Sequence, residues 1–178
     1  PRLRPRPALS LAFAAMKLVL SLSLLAVAFA SAAEPADSWR RDRRIIDVHV
    51  HLDGSRGGMA RAVSIMDRAG LGLGVNLSGG TVTAKSGEKS QFEKVKARGD
   101  QFHPGRFIHS MNLDYAGWDN SDFSERAAKQ IEDGHRLGAA GLKEYKRLGL
   151  FLRNKAKELI RIDDPKLDAV WEKCGELG

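Results

Sequence analysis

Apolar residues fall into short runs separated by glycine and proline. Ile45-Ile46-Asp47-Val48-His49-Val50-His51 is short and β-branched and ends at Asp53-Gly54, which predicts a buried strand closed by a turn. From Gly58 to Ala69, residues Met59, Val63, Met66 and Ala69 recur at helical spacing, and Gly70 stands where a helix C-terminus wants a left-handed residue. Leu71 to Leu77 predicts a second strand, closed by Gly79-Gly80. Ser90 to Ala97 reads as a helix with Phe92 and Val95 inward, His103-Pro104-Gly105 as a turn, and Phe107 to Leu113 as a third strand. A third helix is expected over Phe123 to Leu137, capped by Ser121 or Asp122 and stopped by Gly138; Ala139 to Tyr145 then predicts a fourth strand.

Leu150-Phe151-Leu152 and Leu159-Ile160-Arg161-Ile162 flank the polar stretch Asn154 to Lys157, which predicts a β-hairpin, with a short helix fitting nearly as well. Asp164-Pro165 is an N-cap followed by proline at the first helical position. Leu167, Val170, Trp171, Cys174 and Leu177 give the following helix one apolar face. Four successive strand–helix units predict a parallel α/β sheet covered on both faces. Such a sheet is either small and doubly wound or the first half of an eight-stranded barrel. Neither a G-x-G-x-x-G nor a Walker loop follows the first strand, which weakens a nucleotide-binding reading.

The N-terminal segment changes the charge argument. Met16-Lys17, an apolar run from Leu18 to Ala30 and the sequence Ala30-Ser31-Ala32 form the three parts of a signal peptide. The run is short for a spanning helix, which needs about 20 residues. The expected organisation is therefore an upstream segment plus signal peptide over 1–32, starting at Met16, a polar linker over 33–44 and a domain over 45–178. Export to the periplasm or medium, with cleavage near Ala32, follows, and contact with a membrane is expected only through that signal. The 178-residue chain carries +7, but without residues 1–32 Lys+Arg falls from 29 to 25 against 22 Asp+Glu, leaving +3. No basic stripe interleaved with aromatics remains, so no nucleic-acid partner is expected. One cysteine, Cys174, excludes an internal disulfide and a multi-cysteine zinc site.

The chemistry gathers at the end of the first strand. His49 and His51 are two apart on a strand, so their imidazoles share a face. They lie at the strand's C-terminal end, where parallel α/β folds place active sites. Two such rings supply two of the three or four protein ligands of a catalytic divalent cation, zinc being the one expected. Asp53 is positioned to orient a ligand histidine or to make the turn with Gly54. Asn112 and Asp114 at the end of the third strand are weaker candidates, with loop capping the competing role. His103 reads as structural, His109 as a core or surface histidine at the start of the third strand, and His135 as a solvent-exposed helix residue.

Ile46-Asp47-Val48-His49-Val50-His51-Leu52 resembles the first-strand motif of the amidohydrolase superfamily. Gly141-Leu142-Lys143-Glu144-Tyr145-Lys146, with the stretch from Asp163 to Cys174 containing Asp164-Pro165 and Trp171-Glu172, is similar to its amidohydrolase-2 branch. The resemblance implies the N-terminal half of a TIM (β/α)8 barrel carrying a metal-dependent hydrolase. It implies that His49 and His51 are metal ligands and that the remaining ligands stand on the fifth, sixth and eighth strands, beyond these residues. A chain ending before the fifth strand is expected to be inactive by itself.

Some relatives bridge two metals with a carboxylated lysine at the fourth strand. Lys143, sharing a face with Gly141 and Tyr145, is the better candidate than Lys146, for that role or for a substrate carboxylate. The expected reaction is attack of activated water on a C–N or C–O bond of a small molecule. Decarboxylase or hydratase chemistry in the same superfamily and an exported non-catalytic α/β binding module are the alternatives. The histidine motif also resembles those of adenosine-deaminase-like enzymes and TatD-like nucleases. Substrate, metal number and oligomeric state, including a homo-oligomer, stay open.

Overall fold

The computed structural model describes residues 35–178. The expected signal peptide lies outside them. The chain divides into two compact units at Asp42/Arg43. The described part of the first unit is helix α1, Pro35–Arg41, inside the segment read as a linker. It places Asp37 in its first turn and Arg40 and Arg41 in its last, each complementing the helix dipole.

The second unit is a mixed α/β domain. Its order is β1 (Ile45–Val50), α2 (Arg56–Ala69), β2 (Leu71–Asn76), α3 (Gln91–Phe102), β3 (Phe107–His109), α4 (Phe123–Arg136) and, after a 3-10 turn over Pro165–Leu167, α5 (Asp168–Leu177). The three strands form one parallel sheet in the order β1-β2-β3. Val50 pairs with Asn76, and Asn76 with His109, so the C-terminal ends of the strands are level. Met111 then pairs in parallel with Leu142. Neighbours in space follow the order of the chain without reversal.

Local chemistry explains the element ends. Ser55 caps α2 by accepting from Gly58 N, and Gly70 ends it at φ 76°. Ser90 and Glu93 form a reciprocal capping box on α3. That helix runs to Phe102, past the expected end at Ala97, with Gly99 buried inside it. A Cβ on Gly99 would lie 2.7 Å from His109 Nε2, so the bare backbone makes room for the His109 ring. The third strand is shorter than expected, and the fourth is reduced to the Leu142 bridge. Asn112 interrupts both, its amide spanning Gly80 N at 3.0 Å and Lys143 O at 2.9 Å. The expected hairpin is reduced to a single bridge: Arg153 pairs antiparallel with Leu159, while Leu150 and Phe151, expected in its first strand, lie in a turn.

Two apolar clusters hold the unit. One gathers Leu52, Met59, Met66, Val95 and Phe107 between α2, α3 and the sheet. The other includes Phe92, Met111, Phe123, Ile131, Leu167 and Val170 and seats α4 and α5. Trp171 departs from the expected apolar face of α5 and is 39% exposed. Val170, Cys174 and Leu177 follow an i, i+4, i+7 line into the core, and Trp171 falls on its flank. None of the described helices is long and apolar enough to cross a membrane.

Candidate metal centre

The two histidines converge. His49 and His51 both stand exposed at the C-terminal end of β1, and their Nε2 atoms are 3.3 Å apart. Two nitrogens about 2.05 Å from a tetrahedral zinc would be about 3.3 Å apart, so the spacing fits two ligands of one cation. The rings meet edge to face, with centroids 5.2 Å apart. Asp47 shapes the approach by accepting from His49 N at 2.9 Å. Among the described residues, no third His, Cys, Asp or Glu joins the pair.

His51 has a built support. Its Nδ1 lies 2.7 Å from Ser78 Oγ, at the C-terminal end of β2. Tyr145 Oη lies 3.1 Å from the same Ser78 Oγ and 3.0 Å from Leu77 O. The Tyr145 ring stacks on the His51 ring at 6.0 Å. Beneath them Asn76, fully buried, ties the strand ends together. Its Oδ1 accepts from Leu52 N at 3.3 Å and Ser78 N at 3.0 Å, and its Nδ2 contacts His109 Nδ1 at 3.0 Å. Since the Asn76 amide nitrogen must donate, His109 Nδ1 accepts and the ring is neutral. Burial also pushes the His109 pKa down. His109 is thus a core residue.

The other candidates take these places. Asp53 accepts from Ser55 N at 2.7 Å, which lowers its pKa, and it bonds neither histidine. Lys143 is half-buried and held by its backbone, its N donating to Met111 O at 2.8 Å. Its ammonium makes no ion pair with the described residues. Asn112 is the clamp already described. Asp114 accepts from Thr83 Oγ1 at 2.7 Å and Ala116 N at 2.9 Å, as a loop cap does. His103 caps α3 and meets Phe107 edge to face; His135 is exposed on α4.

Sequence reasoning missed three groups. Ser78 had a signal, since it follows the second strand at the same rim as His51. Tyr145 was legible only as sharing a face with Lys143. Glu144 had none, because only the fold brings Tyr115, 29 residues away, near enough to act on it. Desolvation pushes the Glu144 carboxyl up to about 7, although Tyr115 and Arg147 pull it down. The Tyr115 hydroxyl is pushed up too, chiefly by burial and then by Glu144. Tyr115 and Glu144 are near enough to act on each other, yet Tyr115 Oη and Glu144 Oε1 have no partner at good hydrogen-bond geometry. This pair is separate from the histidines. So is a cavity of about 260 Å³ lined by Met111, Ile131, His135, Leu142, Cys174 and Leu177. Cys174 there has a raised pKa, mainly from burial, and so is not an activated thiol.

The site thus consists of two convergent imidazoles, one of them backed by a serine–tyrosine pair, on the rim of a parallel sheet. No protein-family model, curated protein or solved structure matches the chain.

Proposed function

We infer that this chain carries part of a metal-dependent hydrolase of the amidohydrolase type, with His49 and His51 as ligands of a divalent cation, zinc being the expected one. The observation that carries this reading is the 3.3 Å approach of the two Nε2 atoms at the C-terminal end of a parallel strand. The half-barrel reading is supported by the strand order. Neighbours run β1, β2, β3 and then Leu142 without reversal. A doubly wound sheet reverses its order at a switch point, whereas a barrel does not.

When bound, the cation supplies Lewis-acid polarisation of a substrate carbonyl and a water acidified toward neutral pH. The protein's own work is positional. Ser78 fixes one edge of the His51 ring, and Tyr145 covers its face. Lys143 follows the Leu142 bridge, two residues before Tyr145, and its unpaired ammonium suits an anionic group of a small-molecule substrate. The described residues supply two ligands of the three or four such a centre uses, so binding by these alone is weak.

Zinc titration followed by calorimetry tests the reading. One zinc per chain is expected, lost when His49→Ala and His51→Ala are combined. Unchanged stoichiometry in that double variant would refute it. A panel of amides, esters, lactones and β-keto acids given to the zinc-loaded protein separates hydrolysis from lyase chemistry. Hydrolysis of the first three is the expected result.

A further inference from the structure

Resting on that metal-site reading, we propose that Tyr145 and Ser78 form a one-way hydrogen-bond chain that holds His51 as its Nδ1–H tautomer, so that Nε2 presents a lone pair to the cation. The direction follows from counting protons. Three oxygens surround Tyr145 Oη: Leu77 O at 3.0 Å, Ser78 Oγ at 3.1 Å and Asn112 Oδ1 at 3.5 Å. The Leu77 carbonyl can only accept. Asn112 Oδ1 also accepts, because its orientation is fixed by Gly80 N on one atom and Lys143 O on the other.

The phenol proton therefore belongs on Leu77 O. Pointing it at Ser78 would leave Oη against a carbonyl oxygen at 3.0 Å with no proton between them. Ser78 Oγ–H then donates to Tyr145 Oη, which spends the serine's only proton. His51 Nδ1, 2.7 Å from Ser78 Oγ, must donate its own. One arrangement satisfies all three contacts. It leaves His51 Nε2 unprotonated and facing His49 Nε2.

The two histidines are then unequal. His51 is set as a ligand before the cation arrives. His49 has no described partner on Nδ1, so in the metal-free protein it carries its proton on Nε2 and donates it to His51. Binding requires that proton to leave Nε2 of His49 alone. Ser78 and Tyr145 act through His51 and are positioning residues.

The test is nitrogen-15 NMR of histidine-labelled full chain, metal-free and with both rings neutral, together with zinc affinity by competition with a chromophoric chelator. The wild type should show His51 protonated on Nδ1 and His49 on Nε2, with zinc changing the tautomer of His49 only. Tyr145→Phe keeps the stacked ring and the fold but removes the terminal donor. It should mix the His51 tautomers and weaken zinc by about 10-fold or more, the usual cost of losing a group that orients a ligand. Ser78→Ala should do the same, and Ser78→Thr should restore both readouts. A wild-type His51 protonated on Nε2 would overturn the proposal. So would tautomer and affinity unmoved in both Tyr145→Phe and Ser78→Ala. The Nδ1–H tautomer without any zinc binding would overturn it through its metal premise, which separates failure of the site from failure of the chain of hydrogen bonds.

Discussion

Replacing Glu144 by glutamine should stabilise the protein, and only at neutral and higher pH. Glu144 is half-buried, and desolvation lifts its carboxyl from an ordinary 4.5 to about 7. An acid whose pKa is raised by folding binds more protons in the folded chain than in the unfolded one between those two values. Stability therefore falls as pH rises from about 4.5 to about 7, and the penalty is complete above 7. The full shift corresponds to a ceiling of about 3 kcal/mol at 1.36 kcal/mol per unit. Residual solvent around the carboxylate screens part of it, leaving about 1–2 kcal/mol. Glutamine keeps the shape and removes the charge. Urea unfolding of wild type and Glu144→Gln at pH 4.5 and pH 8 reads the difference directly. The variant should match wild type at the lower pH and exceed it by about 1–2 kcal/mol at the higher. A gap of equal size at both pH values would refute the burial argument, because a packing change does not titrate.

Two further substitutions probe the frame under the histidines. Asn76→Ala leaves Leu52 N, Ser78 N and His109 Nδ1 unpaired in a fully buried place, and should cost about 2–4 kcal/mol in denaturant unfolding, more than an exposed asparagine would. Gly79→Ala drives a Cβ into the backbone oxygen of Ser110, which cannot swing aside as a side chain would. A loss of about 1–3 kcal/mol, seen as a lower thermal midpoint, is expected, and an unchanged midpoint would contradict the close approach of these two segments.

Much of the frame was legible because punctuation and period agreed. Gly70, Gly138, Ser90 and the Asp164-Pro165 pair each end or start an element where the sequence says so. The strands were legible as apolar runs, but their lengths were not, nor was their exposure: the first, expected to be buried, leaves Ile46 and Val48 exposed. Asn112 looks like one polar residue in a strand, and only the fold reveals that its amide takes the ladder positions of two neighbouring segments. Gly99 lies beyond the expected helix end at Ala97, yet the helix continues through it with the His109 ring against its bare backbone. For the site, period-two geometry was enough to pair His49 with His51. It carried no information on Ser78, 27 residues from His51, or on Tyr145, 67 residues from Ser78. Those partners meet only because parallel strands bring their C-terminal ends level. Asp53 shows the converse: adjacent in sequence to the histidine motif, it turns away to Ser55 N.

The central claim, that His49 and His51 bind one cation together through Nε2, is tested most directly by electron paramagnetic resonance of the chain loaded with one equivalent of Cu²⁺. Nitrogen hyperfine structure should count two imidazoles in the wild type and one in either His49→Ala or His51→Ala. An unchanged nitrogen count in both single variants would place the metal elsewhere and contradict the account.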